Sequence, residues 1–346
     1  MSTRERPQLR WRLADDDAGQ PDLFGDLVER VPGTGELRHL EFLHVRARRI
    51  INEVPRASRM PFRWTINAYR GCSHACAYCF ARPTHEYLDL DRGEDFERRI
   101  VVKVNAPERL AAELAGRRWA GEHIAMGTNT DPYQHAEGRY RLTRRIVETL
   151  SAARNPFSIL TKSTLILRDL DVLAEAARRT DVRANLSIGT LDREVWRLTE
   201  PGTPNPLRRV EAVARLNEAG VPCGVLIAPI LPGLSDDPAA IEAVVRACAE
   251  AGAESISAIW LHLRPGVREH YLGWLEGARP DLLPEHRRRY RRAYLSAEEQ
   301  RSLSDLVGRA ARRHRGRAVS AMRSRLDDPP APPPAPEEVQ LRLPGS

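Results

Sequence analysis

Cys72, Cys76 and Cys79 sit in the run Gly71-Cys72-Ser73-His74-Ala75-Cys76-Ala77-Tyr78-Cys79. Thiolates are soft ligands that suit iron–sulfur clusters and zinc, and three on one short segment can hold three irons of a four-iron cluster. A [4Fe-4S] cluster usually takes four cysteines, so a three-cysteine loop leaves one iron open to a small molecule. Other readings stand beside this one. The i, i+4, i+7 spacing is also that of one helix face, which would make a buried stripe, although such stripes are normally Leu, Val or Ala. A zinc ion could be completed by His74 or His85, although structural zinc sites usually pair two separated C-x2-C knuckles. A disulfide is disfavoured by an odd total of 5 cysteines and by the polar start Met1-Ser2-Thr3-Arg4-Glu5-Arg6, which carries no apolar signal.

The chain of 346 residues is 42% hydrophobic, enough for a sizeable core in one large domain or two. No stretch reaches ~18 uninterrupted apolar residues, so no membrane span is expected and the cytoplasm is the natural compartment. The net charge is +7. Its excess lies late, in Arg287-Arg288-Arg289-Tyr290-Arg291-Arg292 and in Arg309, Arg312, Arg313, Arg315 and Arg317. That asymmetry suits a polyanionic partner, nucleic acid by default, and equally suits a solvated helical face.

Positioning the cysteines falls to a repeating pattern that begins near Trp64. Residues 1–58 mix Asp, Gly and Pro around a basic, helical-looking stretch at 38–51, and read as an N-terminal extension. Strands are expected at residues 65–68, 123–127, 157–161, 182–188, 223–228 and 255–260, where short apolar or β-branched runs occur. Amphipathic helices are expected between them at 107–115, 143–153, 170–178, 208–219 and 239–251, closed by breakers such as Asn155-Pro156, Gly220 and Gly252. Six strand–helix units make an α/β chain with a parallel sheet and right-handed crossovers. They fit a partial (β/α)6 TIM-like barrel spanning residues 59–285; a doubly wound open sheet is the other topology of that periodicity. Both put chemistry at the carboxyl ends of the strands. Residues 286–328 read as an Arg-rich helical extension, and 329–346 as a linker with six prolines in eight residues followed by a tail.

The C-x3-C-x2-C spacing with Tyr78 before the last cysteine resembles the radical S-adenosylmethionine (SAM) superfamily. Over about residues 62–261 the resemblance narrows to the branch with spore photoproduct lyase and "DNA repair photolyase-like" proteins. Tyr69-Arg70-Gly71-Cys72 leads into the loop and Phe80-Ala81-Arg82-Pro83-Thr84-His85 follows it. Later come Gly127-Thr128-Asn129-Thr130-Asp131, Leu160-Thr161-Lys162-Ser163, Ser187-Ile188-Gly189-Thr190, Glu200-Pro201-Gly202-Thr203-Pro204-Asn205-Pro206 and Ala228-Pro229-Ile230. The resemblance implies a [4Fe-4S] cluster on Cys72, Cys76 and Cys79 whose open iron chelates SAM. It also implies reductive cleavage of SAM to a 5′-deoxyadenosyl radical, with electrons from a donor such as flavodoxin or ferredoxin.

By the same resemblance Tyr78 lies near the adenine, Gly127 and Thr128 near the methionyl amino group, and Lys162 and Ser187 near the carboxylate and ribose. Arg209 would fork a carboxylate, a role its neighbour Arg208 could also take, and Ala228 would wall the adenine. One departure matters. Spore photoproduct lyase has a hydrogen-donating cysteine at the second strand end, where this chain reads Ala125-Met126-Gly127-Thr128-Asn129. Cys223 and Cys248 read instead as buried structural thiols. Action on nucleic acid, in repair or modification, is therefore expected with a different radical termination. The alternatives are a radical SAM enzyme of a peptide or small metabolite, and a non-catalytic Fe-S or zinc protein that binds nucleic acid. Gln20-Pro21-Asp22-Leu23-Phe24 and, more loosely, Gln340-Leu341-Arg342-Leu343-Pro344 resemble the pentapeptide that docks bacterial repair proteins on the replicative sliding clamp.

Overall fold

The computed structural model describes residues 27–55, 58 and 60–318. Three strands come first, β1 (Leu27–Pro32), β2 (Glu41–Val45) and β3 (Ile51–Glu53). Then β4 (Trp64–Ile66) and β5 (Tyr69–Arg70) lead into the cysteine loop, and α1 (Glu94–Arg98), β6 (Arg99–Lys103) and α2 (Ala106–Leu114) follow it. Strands and helices alternate from there: β7 (Ile124–Met126), α3 (His135–Tyr140), α4 (Leu142–Ala152), β8 (Phe157–Thr161), α5 (Leu170–Arg179) and β9 (Val182–Ser187). The series continues through α6 (Arg193–Thr199), α7 (Pro206–Glu218), β10 (Cys223–Ile230), α8 (Pro238–Glu250) and β11 (Ile256–Trp260). Helices α9 (Val267–Ala278), α10 (Leu283–Arg289) and α11 (Ala297–Arg313) end the described chain.

The large sheet runs β11-β10-β9-β8-β7-β4-β3, with its six neighbours from β4 to β11 parallel and β3 antiparallel at the edge. Each new strand is laid beside the previous one. A doubly wound sheet reverses direction after its first strands, so the fold is the α/β partial barrel, open between β3 and β11. Its strands are apolar because both faces are covered: Val225, Ile227 and Ile230 of β10 are all buried. The helices bury one stripe each, as α4 does with Leu142, Ile146, Val147 and Leu150. Side-chain caps fix where several begin. Asp192 accepts from the amides of Glu194 and Val195, and Asn205 from that of Leu207.

Residues 38–51 are not the basic helix expected of them. β2 occupies their centre, paired antiparallel with β1 and parallel with β6 in a second sheet of order β1-β2-β6-β5. Phe42, Leu43 and Val45 are buried there, and a partner strand more than fifty residues away in sequence overrides the local pattern. The small sheet ends in β5, whose Tyr69 and Arg70 face Val102 and Val101 of β6, so both ends of the cysteine excursion are pinned together.

Helix α10 begins at Leu283, ahead of the basic extension expected from residue 286, and α11 lies within it. α11 starts with a reciprocal cap between Ser296 and Glu299 and buries Leu303, Val307, Ala310 and Ala311. A separate apolar cluster joins Cys76 and Tyr78 of the loop to Leu261, Leu263, Tyr271, Leu275, Tyr290 and Leu295. Among the described residues no helix is long and apolar enough to cross a membrane. The proline linker and both clamp-like pentapeptides lie outside the described residues.

Candidate active site

The cysteine loop is held by its backbone from three sides. Cys72 N donates to Phe96 O at 2.8 Å. Gly71 O accepts from Thr130 Oγ1 at 2.6 Å and Gln134 Nε2 at 2.9 Å, while Ser73 N donates to Gln134 Oε1 at 3.0 Å. On the far side Ala77 N donates to Thr199 O at 3.0 Å and Gly202 N to His74 O at 3.1 Å. Gly202 must be glycine, because a Cβ there would lie 2.3 Å from Ser73 O. Arg82 is fully buried and donates to Cys76 O at 2.9 Å. Such a loop presents its side chains without having to order its backbone on ligation.

Cys72 and Cys76 are buried and Cys79 is half-buried. Burial pushes all three thiols above their ordinary range, with Asp131 adding to the effect on Cys72 and Glu200 on Cys76. A bound metal reverses that preference, since a coordinating thiol is deprotonated outright. No three His, Cys, Asp or Glu side chains among the described residues gather as ligands of a single ion. By their chemistry, three thiolates on one short loop are donors suited to an iron–sulfur cluster.

Strand ends from β7 to β10 meet the loop. Gly127, just past β7, has φ +91°, and a Cβ on it would be 2.0 Å from Leu160 O of β8. Thr128 Oγ1 accepts from Asn67 Nδ2 at 3.1 Å. Asp131 gathers Thr161 Oγ1 at 2.6 Å, Lys162 N at 2.8 Å and His74 Nδ1 at 3.3 Å. Burial would raise its carboxyl, but His74 and these hydrogen bonds outweigh it and hold the pKa at about 2. Lys162 Nζ donates to Ser187 Oγ at 2.8 Å and lies 5.6 Å from the Tyr78 ring centroid. Ser187 Oγ in turn donates to Ala228 O at 3.0 Å.

Glu200 is buried at the centre of this constellation. The Tyr78 hydroxyl donates to Glu200 Oε1, and Arg209 Nη2 donates to Glu200 Oε2 at 2.5 Å. Arg209 also donates to Pro204 O at 2.9 Å and Ser187 O at 3.0 Å, and it is 0% exposed. Burial would raise the Glu200 carboxyl, but Arg209 and Lys162 hold it below its ordinary range. Arg209 therefore does not fork a carboxylate as expected: Nη2 alone meets Glu200, its other nitrogens go to main-chain carbonyls, and it reaches the loop through Glu200 and Tyr78.

The residues expected to line the SAM site are placed as follows: Tyr78 on the loop, Gly127 and Thr128 after β7, Lys162 after β8, Ser187 ending β9, Arg209 on α7 and Ala228 in β10, while Arg208 is exposed. Glu200, Asp131, Thr130 and Gln134 were not assigned roles beforehand. Thr130, Asp131 and Gln134 follow β7, where polar side chains just past an apolar strand were the available signal, whereas Glu200 follows α6 in a Pro- and Gly-rich turn that gave none. Cys223 and Cys248 are fully buried in the barrel core, where burial pushes the Cys248 thiol up to about 12.

Comparison with known proteins agrees with this arrangement. Residues 66–245 match the radical SAM superfamily model. An uncharacterised protein of Mycobacterium tuberculosis is 42% identical over 293 residues, covering 84% of this chain and 86% of its own length. One from Methanocaldococcus jannaschii is 30% identical over 199 residues, covering 57% of this chain and 70% of that protein. Among solved structures, spore photoproduct lyase complexed with dinucleoside spore photoproduct superposes with a TM-score of 0.64 at 18% identity, over 85% of this chain and 87% of the lyase. A variant of that lyase with bound AdoMet and the same dinucleoside gives 0.63 at 19% identity over the same shares. With the cysteine loop at the mouth of a six-unit barrel and this match over half its length, the chain belongs to the radical SAM superfamily.

Proposed function

We propose that this radical SAM enzyme carries a [4Fe-4S] cluster on Cys72, Cys76 and Cys79, binds SAM on the facing strand ends, and acts on nucleic acid. The observation that carries the cofactor reading is Lys162, an ammonium held between Ser187 Oγ and the Tyr78 ring at the edge of the cysteine loop. When bound, reduced cluster and SAM together supply a 5′-deoxyadenosyl radical, a hydrogen-abstracting species. The chain's own residues bind, orient and exclude water. Lys162 offers the cation for a carboxylate, and Ser187 a hydroxyl for the ribose. Gly127 lets the turn after β7 pack against the Leu160 main chain of β8, where any Cβ would collide. Tyr78 and Ala228 flank the adenine, and the Glu200–Arg209 pair fixes the Tyr78 ring from behind.

The nucleic-acid reading is supported by the exposed arginines Arg287, Arg291 and Arg292, on the segment whose Tyr290 and Leu295 share an apolar cluster with Cys76 and Tyr78. It is also supported by the fold neighbour described with a dinucleoside photoproduct. A flavodoxin or ferredoxin is the class of electron donor proposed, and the pentapeptide Gln20 to Phe24 is a proposed tether to a clamp. Because no thiol stands at the β7 end, the radical chain ends elsewhere than in the lyase.

Anaerobic reconstitution with iron, sulfide and reductant tests the reading. Wild type and Cys248→Ala should form deoxyadenosine from SAM, and Cys72→Ala, Cys76→Ala and Cys79→Ala should form none. Adding nucleic-acid pools should raise the yield, with binding that weakens steeply with salt. A colourless protein holding one zinc and no sulfide removes the cluster, and salt-independent binding removes the nucleic acid.

A further inference from the structure

Three aromatic rings stand in a row on the rim of the barrel beside the cysteine loop. Phe80 follows Cys79 directly and is 43% exposed; Tyr294, on the segment between α10 and α11, is 42% exposed. His262 lies between them, two residues beyond the carboxyl end of β11 and so on the strand-end side where the site sits. Its ring centroid is 5.8 Å from Phe80 at 37° and 5.5 Å from Tyr294 at 17°, a stacked pair. The two segments that carry His262 and Tyr294 are joined by Leu263 N donating to Ala293 O at 2.7 Å. Burial and the nearby Arg264 hold His262 near a pKa of about 4, so at neutral pH its ring is an uncharged π surface.

Charge surrounds the rings. Arg264 lies with its guanidinium 5.8 Å from the Tyr294 centroid and donates from Nη2 to the Tyr294 hydroxyl at 2.6 Å. Arg264, Arg291 and Arg292 are exposed, and among the described residues no carboxylate pairs with any of them. The nearby Glu269 is engaged with Gly266 N and Arg92. The outer faces of such a row, with Arg264 beside Tyr294 and Arg291 and Arg292 a few residues before it, fit a flat base attached to phosphates. A base inside a duplex has both faces already stacked, so only an unpaired one can use the row.

We propose that Phe80, His262 and Tyr294 form a stacking platform for an unpaired base of single-stranded nucleic acid, with Arg264, Arg291 and Arg292 taking its phosphates. This rests on the nucleic-acid reading above and deepens it. The platform delivers the strand to the rim next to the third cluster cysteine, and it makes single-strandedness the recognised feature.

The test is anaerobic fluorescence anisotropy on the reconstituted full chain, with one labelled oligonucleotide offered single-stranded and as a duplex. Wild type should prefer the single strand. Tyr294→Ala and His262→Ala should each weaken single-strand binding about 5- to 100-fold, the range for loss of one base–aromatic stack. Tyr294→Phe, which keeps the ring and loses the hydroxyl that accepts from Arg264, should bind the single strand more tightly than Tyr294→Ala. Iron content and circular dichroism verify that the variants are folded. Wild-type affinity in both alanine variants, or equal binding of single strand and duplex, overturns the platform while leaving the nucleic-acid reading standing. Failure of wild type to bind either form at low salt overturns both.

Discussion

Replacing Arg209 with Met is the sharpest probe of how the site is held. The guanidinium is 0% exposed and the Glu200 side chain only 5%. Four hydrogen-bonding partners lose their donor: Glu200 Oε2, Thr203 Oγ1, Ser187 O and Pro204 O. Methionine fills most of the volume, so the cost is the stranded carboxylate rather than a cavity. Removing one member of a buried pair typically costs about 3–5 kcal/mol. For roughly 290 folded residues the unfolding entropy is about 0.6 kcal/mol/K, so the expected fall in Tm is about 5–8 °C. The double change Arg209→Met with Glu200→Gln leaves no buried charge and should recover about 2 kcal/mol or more relative to the sum of the singles. Differential scanning calorimetry of the unreconstituted chain reads both quantities. A Tm loss under about 2 °C for Arg209→Met, or strict additivity in the double variant, would refute the view that Arg209 serves Glu200.

Three further outcomes are expected. Gly202→Ala forces a Cβ against Ser73 O and should lower iron bound per chain after reconstitution; full iron loading would show the loop can yield. Lys162→Ala should raise the Kd for SAM about 10- to 100-fold by calorimetry, the worth of one charge-assisted hydrogen bond. Asp131 is lowered in the fold to about 2, so its contribution is fully present above its unfolded pKa and is lost as pH falls from about 4 to 2. It amounts to about 2 kcal/mol. Asp131→Asn should therefore cost that much at pH 7 and flatten the acid limb of stability; an unchanged acid limb counts against the His74–Asp131 contact.

Much of the barrel could be read beforehand because its strands are covered on both faces. Runs such as Phe-Ser-Ile-Leu-Thr at 157–161 stay apolar enough to stand out from the amphipathic helices between them. The second sheet was not legible. β2 is interrupted by polar residues and flanked by arginines, and what makes it a strand is its pairing with β6, a contact no local window contains. The site divides the same way. Cysteine spacing announces itself, whereas the importance of Glu200 depends on Tyr78 and Arg209 arriving from opposite directions. A carboxylate in a Pro- and Gly-rich turn looks like any solvated loop residue until its neighbours are known.

The pairing of β5 with β6 has a bearing on how the metal centre is made. Gly71 to Arg98 is an excursion whose two ends are stitched together by the small sheet, through Tyr69 opposite Val102 and Arg70 opposite Val101. The entropy of closing that excursion is met by strand pairing. A cluster taken up by the proposed cysteine ligands would then meet a closed insert rather than a slack chain. The insert is also anchored at its Asp89-Leu90-Asp91 bend, where Leu90 is buried with Leu43, Val45 and Val101 and Asp91 accepts from the amides of Gly93 and Asp95.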